Sequence, residues 1–333
     1  MEKSVDKNTG DVQQGASIYN VAERAGVSIV TVSRVFNDYP HVSERMRERV
    51  FSAARSVGYT PRLVSKRNVI AAIIGHLDHL SAGDYKTRLL LQIVRSAAEQ
   101  SYLVEFIPFD SVQLATKHLV DGIVEVGLTE EEVLQLAGLP SVPSVAINKD
   151  KVLDGWSTVS SDHMHETQLA TNHLLDNGHT QIALVLDELT GTGVERRRAG
   201  FEETIHARLG SAGKSEVFAA ATQSPTTIAK NILDNGFTAC INLSDNYGLA
   251  LVDGFINELK VSIPNDVSMI CLENEAVSAF STPRMTTIDQ PLSAVANCAV
   301  DGIVENIGAT DARRWDRVFK SRLIERDSVR RLA

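Results

Sequence analysis

Residues 17–61 read SIYNVAERAGVSIVTVSRVFNDYPHVSERMRERVFSAARSVGYTP, three short helical patterns separated by turn signals. Ser17 is placed to cap the first helix, since a serine hydroxyl can accept one of the free N–H groups of the opening turn. Ile18, Val21, Ala22 and Ala25 then recur at the spacing of one buried helical face. Gly26 ends that helix, because a tight interhelical turn needs a backbone of positive φ and glycine adopts it freely. Val27 packs into the turn and Ser28 caps a second helix over Ile29–Phe36. Residues 17–36 thus carry the pattern of a helix-turn-helix. A third helix follows, with Ser43 as N-cap, Val50, Ala53, Ala54 and Val57 as its apolar stripe, and Gly58 and Pro61 as its stop. Three such helices are the least that supports the motif as a domain.

The second helix is the informative one. Val32, Val35 and Phe36 complete the small core, which leaves Ile29, Val30, Ser33 and Arg34 on the outer face with Thr31 at its flank. A solvated helix seldom exposes adjacent Ile and Val. In a major groove the two would meet thymine methyl groups, while Arg34 would pair with guanine edges. Thr31 and Ser33 suit phosphate oxygens. The plainer alternative is a helical hairpin with one untidy surface. Charge favours the first reading. The whole chain carries −9, yet residues 17–67 hold nine Lys/Arg against four Asp/Glu, and residues 68–333 hold 22 against 35. A basic head on an acidic body fits a local polyanion-binding module.

The run from Ile18 to Pro61 closely resembles the head of lactose-repressor (LacI/GalR) family regulators, on its VS-x-x-TVSRV-x-N core and its HVS…R…V…GY-x-P continuation. The resemblance implies double-stranded operator DNA as partner. It makes Ile29, Val30 and Arg34 base-reading positions, and Tyr19, Ser28, Thr31, Ser33, Asn37, His41 and Tyr59 backbone or flanking contacts. His41 has a second reading as an exposed loop histidine. Family members carry a short hinge helix next, with Asn after the Pro, Ala three residues later and a Leu that wedges into the minor groove. Here the run is YTPRLVSKRN, with Arg62, Ser65 and Asn68 in those places. A polar Asn cannot unstack a base step as an apolar wedge does. Either Leu63 or Val64 substitutes, or the hinge does not intercalate; Arg62, Lys66 and Arg67 still offer phosphate contacts.

From residue 69 onward apolar runs alternate with helical stretches. Runs at 69–75, 103–107, 122–126, 144–147, 182–186, 239–242 and 267–272 read as strands; 88–100, 168–177, 198–209, 226–233, 246–259 and 292–306 read as helices. Such alternation implies parallel sheets covered by helices on both faces. No phosphate-binding glycine loop follows a strand and no G-x-S-x-G elbow is present. The family resemblance extends over nearly all of this region, through LATNHLLDNGHTQIALV, RRRAGF, NLSDNYGLALVDGF, IPNDVSMICLEN, STPRMTTIDQP and SRLIERDSVRR. It implies an all-α helix-turn-helix head joined to an α/β two-lobe body of the periplasmic-binding-protein type, with three crossovers. Residues 1–16 then form a disordered leader, 17–60 the DNA-binding domain and 61–68 the hinge. Residues 69–147 with 286–314 make the first lobe, and 148–285 with 315–333 the second, with crossings near Asn148, Met285 and Trp315.

The same resemblance implies a small-molecule effector, most simply a sugar, in the cleft. Arg197 of RRRAGF and Glu273 of CLEN are its charged pair, Ser244 and Asp245 follow one strand end, and Asp162 another. Their opposite charges and planar groups suit a polyol. Each has a bland counterpart. Arg196, Arg197 and Arg198 all suit a solvated helix start, Asp245 suits a helix cap, Glu273 can satisfy backbone donors, and Asp162 is balanced between the two. Trp156 and Phe280 are either stacking surfaces or ordinary core.

Composition narrows the function classes. Hydrophobic residues make up 43% and charged residues 23%, an ordinary globular balance. No apolar stretch is long enough to cross a bilayer, and the polar first residues contain no secretory core. Cys240, Cys271 and Cys298 are scattered, with no metal-like spacing, as in a cytoplasmic protein. A homodimeric repressor without cofactor or metal is the expectation. A carrier-type sugar-binding module and an enzyme acting on a small polyol are the alternatives, although no nucleophile–base set is readable.

Overall fold

The computed structural model describes residues 17–36, 39, 41–59, 68–75, 84–113, 115, 120–139, 142–150, 152, 154–187, 192–244, 247–309 and 314–332. The leader 1–16 and the hinge residues Arg62, Leu63, Val64, Ser65, Lys66 and Arg67 lie outside them, as do Asn37 and Asp245. The chain divides into two compact units, residues 1–66 and 67–333.

The first unit holds α1 (Ile18–Ala25), α2 (Ile29–Phe36) and α3 (Glu44–Ser56). Ser17 caps α1 reciprocally with Asn20, whose side chain accepts from the Ser17 N–H at 3.0 Å. Gly26 ends α1 at φ 60°, as the turn requires. Ser28 accepts the Thr31 N–H at 3.1 Å, an N-cap for α2. Ser43 has extended backbone but makes no side-chain cap bond. Val21, Val32, Val35 and Val50 form the centre of the core, and the Phe36 ring meets Phe51 edge-on at 5.7 Å. Arg49 donates to the carbonyls of Ala25 and Gly26, at 2.5 and 2.8 Å, tying α3 to the turn.

The second unit contains two six-stranded sheets. Its strands are β1 (Val69–Ile74), β2 (Leu103–Pro108), β3 (Gly122–Val126), β4 (Ser144–Ile147), β5 (Ser157–Ser161), β6 (Gln181–Leu186), β7 (Lys214–Ala219), β8 (Ala239–Asn242), β9 (Ser268–Leu272), β10 (Thr286–Asp289), β11 (Asp316–Phe319) and β12 (Arg322–Ile324). Its helices are α4 (Tyr85–Glu99), α5 (Glu130–Leu134), α6 (His163–Asp176), α7 (Thr192–Leu209), α8 (Pro225–Asp234), α9 (Gly248–Asp253), α10 (Glu275–Ser278) and α11 (Leu292–Asn306). The first sheet runs β11-β5-β4-β3-β1-β2 and every pairing in it is parallel. The second runs β12-β10-β9-β8-β6-β7 and is parallel except for β12, which lies antiparallel to β10. Ile93, Ala97, Val295 and Ala299 of α4 and α11 cover one face of the first sheet. In the second lobe Ala170, Leu174 and Phe201 of α6 and α7 cover one face, and Ile228, Ile232, Leu251 and Phe255 the other. These layers are the two-lobed α/β architecture that the alternation of apolar runs predicts.

The crossings fall later than near Asn148, Met285 and Trp315. The chain turns at Asn148 but returns to the first sheet as β5, and passes to the second lobe at Asp162. It leaves the second sheet after β10, around Gln290, and the first sheet finally between β11 and β12. The strands STVSS, TTID and DRVF are too polar to stand out as apolar runs, so the sequence alone does not show that the chain returns to a sheet before crossing. Helix starts shift in the other direction, for a related reason. The first turns of α4, α6 and α7 are polar and begin before the apolar stripe, Asp84 capping α4 at 2.7 Å from the Thr87 nitrogen. The stretch 246–259 is not one uniform helix, because it widens after Gly254, where Leu259 N–H reaches the Gly254 carbonyl at 3.0 Å.

Candidate functional site

On α2 the buried and exposed sides separate cleanly. Val32, Val35 and Phe36 are buried, while Val30 is 59% and Ile29 38% exposed, with Arg34 open to solvent beside them. The Arg34 guanidinium lies 6.0 Å from the Tyr39 ring centroid, and no carboxylate among the described residues holds it. Tyr19 on α1 is 68% exposed, and His41 is exposed as well. Thr31 lies half-buried with its hydroxyl 2.9 Å from Ser28 Oγ, and Ser33 is half-buried. Tyr59 is half-buried with its ring 6.0 Å from Phe36, so it also belongs to the core. Arg47 was not singled out in the sequence; it bonds the Tyr39 carbonyl at 2.8 Å and fixes the segment after α2.

In the second unit the strand ends bring together residues from distant segments. Arg197 reaches Glu166, with Nε and Nη2 each 3.0 Å from Glu166 Oε2. His163 Nδ1 approaches the same oxygen at 3.1 Å. The other oxygen accepts from Gln290 Nε2 at 2.9 Å and Ser321 Oγ at 3.1 Å. Glu166 is fully buried. Burial pushes its carboxyl up, but Arg197 and the surrounding donors bring it down to about 2. Burial, then the Arg197 charge, pushes the His163 imidazole down, so a neutral ring donating from Nδ1 fits the contact. The close approach of α7 to α6 depends on Gly200, where an added Cβ would stand 2.4 Å from the Met164 carbonyl oxygen.

Glu273 pairs elsewhere. Its Oε2 meets Arg326 Nη2 at 2.9 Å and the Thr287 hydroxyl, and its carbonyl accepts from Arg88 of the first lobe. The charges of Arg197 and Glu273 are therefore not paired with each other; each has its own partner. Ser244 is buried with its hydroxyl on Asp187, beyond the end of β6. Since β7 and β8 lie on opposite sides of β6, this contact sits at the switch point of the second sheet, where α/β crevices open. Asp162 caps α6, accepting the His165 N–H at 3.0 Å. Arg196 pairs with Asp150 of the first lobe and Arg198 with Glu202 at 2.7 Å, the latter an exposed pair. Trp156 is core of the first lobe, whereas Phe280 is 82% exposed. In the first lobe Asn148, at φ 58°, bonds the Tyr85 hydroxyl at 2.6 Å and the Ser161 N–H at 2.9 Å.

Two family models match the chain. Residues 17–62 match the bacterial regulatory proteins of the lacI family, and residues 171–329 the periplasmic binding protein-like domain. The head of the chain is thus similar to the lacI family of bacterial regulatory proteins and its second half to the periplasmic binding protein-like domain. The chain is 28% identical to the HTH-type transcriptional regulator MalR of Streptomyces coelicolor, over 93% of its own length and 95% of that protein. Its fold matches a cellobiose complex of the transcriptional regulator CelR with a TM-score of 0.69 and 23% identity, covering 94% and 99% of the two chains. It also matches the Lac repressor dimer bound to operator and the anti-inducer ONPF, with a TM-score of 0.65 and 22% identity over 95% and 100%. One departure from the resemblance is structural. Asn68, where the resemblance places a minor-groove leucine, sits at φ 56° with its carbonyl accepting the Leu103 N–H at 2.7 Å, already pinned to the sheet of the first lobe.

Proposed function

We propose that this chain is a sequence-specific DNA-binding transcriptional repressor, active as a homodimer in the cytoplasm, whose operator affinity is set by a sugar-like effector. The observation that carries the DNA half is the outward face of α2. Two apolar side chains and an arginine stand exposed there on a helix whose other side is wholly buried. That arrangement suits thymine methyls and guanine edges, with Tyr19, Ser28, Thr31, Ser33, His41 and Tyr59 set around it for positioning contacts. Two such heads in a dimer would read a pseudo-palindromic site.

For the effector half, support comes from Glu273, Ser244 and Asp162 just past strand ends, from Arg197 near the start of α7, and from the cellobiose bound to the similar regulator CelR. Ligand would act through unequal affinity for DNA-competent and incompetent states of the lobes. The chemistry is binding rather than catalysis, in keeping with relatives that are regulators. The test is selection from a randomised duplex pool with the full-length chain, repeated on a chain lacking residues 1–67. Enrichment of a palindromic site by the first alone is expected. If full-length protein ignores all duplex DNA at low salt, the reading fails.

A further inference from the structure

The two charges that the resemblance places at the cleft are neutralised from within the protein, Arg197 by Glu166 and Glu273 by Arg326. The Glu166 arrangement reaches furthest. His163 and Arg197 hold one of its oxygens, and Gln290 and Ser321 the other. Gln290 and Ser321 lie at two of the crossings between lobes, and Glu166 stands four residues past the third at Asp162. The carboxylate is therefore fixed by every segment that enters or leaves the second lobe, and Arg197, only 13% exposed, is fixed with it.

We propose that Glu166 is a built-in counter-ion that sets the charge of the effector: by occupying the Arg197 guanidinium it makes the cleft select an uncharged polyol and reject the same molecule bearing a phosphate. The proposal rests on the reading of these strand ends as the effector site. A phosphate brought to Arg197 would meet the buried Glu166 charge in a medium of low dielectric. Displacing Glu166 would strand a carboxylate without its cation. A hydroxyl faces neither penalty. Discrimination of this kind comes from the unfavourable contact offered to the wrong ligand rather than from any new contact to the right one. Glu273 adds to the same preference. Its Oε1 is buried without a hydrogen-bond partner among the described residues, an acceptor suited to a hydroxyl proton and hostile to a second anion.

The experiment uses the full-length protein as wild type, Glu166→Gln, and the double variant Glu166→Gln with Arg197→Gln. Each is titrated with inorganic phosphate at constant ionic strength and followed by thermal shift and calorimetry. The expected result is no saturable phosphate response in the wild type. Glu166→Gln should gain affinity on the order of tenfold or more, because a like-charge contact has been removed, and the double variant should lose that gain. A saturable wild-type response that disappears in the double variant overturns the proposal, as does a folded Glu166→Gln that gains nothing. Should Glu166→Gln not fold, the wild type is titrated with glucose and glucose 6-phosphate. Binding of the sugar alone supports the counter-ion; binding of the phosphorylated sugar, lost in the double variant, refutes it. Failure of the effector-site reading has a different signature, a sugar bound equally well by wild type and double variant.

Discussion

The face of α2 and the strand ends of the second unit treat their candidate site residues in opposite ways. On α2 the apolar and cationic groups are left open, Val30 and Ile29 exposed and Arg34 exposed with no carboxylate among the described residues to hold it. At the strand ends the charges are buried and matched, each with a partner from elsewhere in the chain. The difference fits the ligand proposed for each surface. A polyanion releases counter-ions when it meets free cations, so a surface that reads it gains by keeping its arginines unpaired. A small cleft removes its groups from water before any ligand arrives, so an unmatched charge there would be costly in every unliganded molecule.

The contrast predicts that arginines of the same chain differ in what they support. Arg197→Ala strands the buried Glu166 and should destabilise the second unit by about 3–5 kcal/mol, the usual result of breaking a buried pair; urea unfolding followed by a probe in that unit measures it. An undisturbed midpoint would remove the contrast. Acid should act through the same pair. Glu166 sits at about 2 against an ordinary 4.5, so its contribution is whole above pH 4.5 and is lost as pH falls toward 2. His163 and His179 are pushed below 6.5, mainly by burial, so the unfolded chain takes their protons first and stability begins to decline below pH 6.5. Urea midpoints across pH should show both limbs, and Glu166→Gln should flatten the lower one.

Arg34→Ala should reverse the pattern. Stability should move by less than about 0.5 kcal/mol, as for an exposed position, while preference for the selected site over random DNA falls by about 1–3 kcal/mol. Equal loss on both DNAs in a competition assay would make Arg34 a phosphate contact. Smallest of all, Ser17→Ala removes a capping box from a helix that carries the exposed Tyr19. It should lower the stability of the first unit by about 1 kcal/mol, read from its own thermal transition, without changing which site is preferred.

The first unit was almost fully legible in the sequence. The caps at Ser17 and Ser28, the glycine at 26 and the apolar spacing fix α1 and α2 to the residue, because every determinant is local. In the second unit the central apolar strands were legible and the polar ones were not. β7, β11 and β12 are sheet edges and β5 and β10 lie next to edges, where one side need not be apolar. The candidate site was half legible. Resemblance drew attention to Arg197 and Glu273, but their partners are 31 residues away for Glu166 and far along the chain for Arg326. A glutamate in the first turn of a helix ordinarily reads as a solvated residue near a helix N-terminus. Its burial arises from Gln290 and Ser321, 124 and 155 residues away, and nothing local announces them. His163 and Glu166, three apart at a helix start, were the available signal.

The pairing of β11 with β5 and of β12 with β10 has a consequence for synthesis. Each sheet draws an edge strand from residues 316–324, so neither lobe has its full set of strands until that stretch has left the ribosome. The head, contiguous and local, can fold while translation continues. The body must wait with both sheets open at one edge, which makes the interval before those last strands arrive the moment when this chain is most exposed to aggregation and to chaperones.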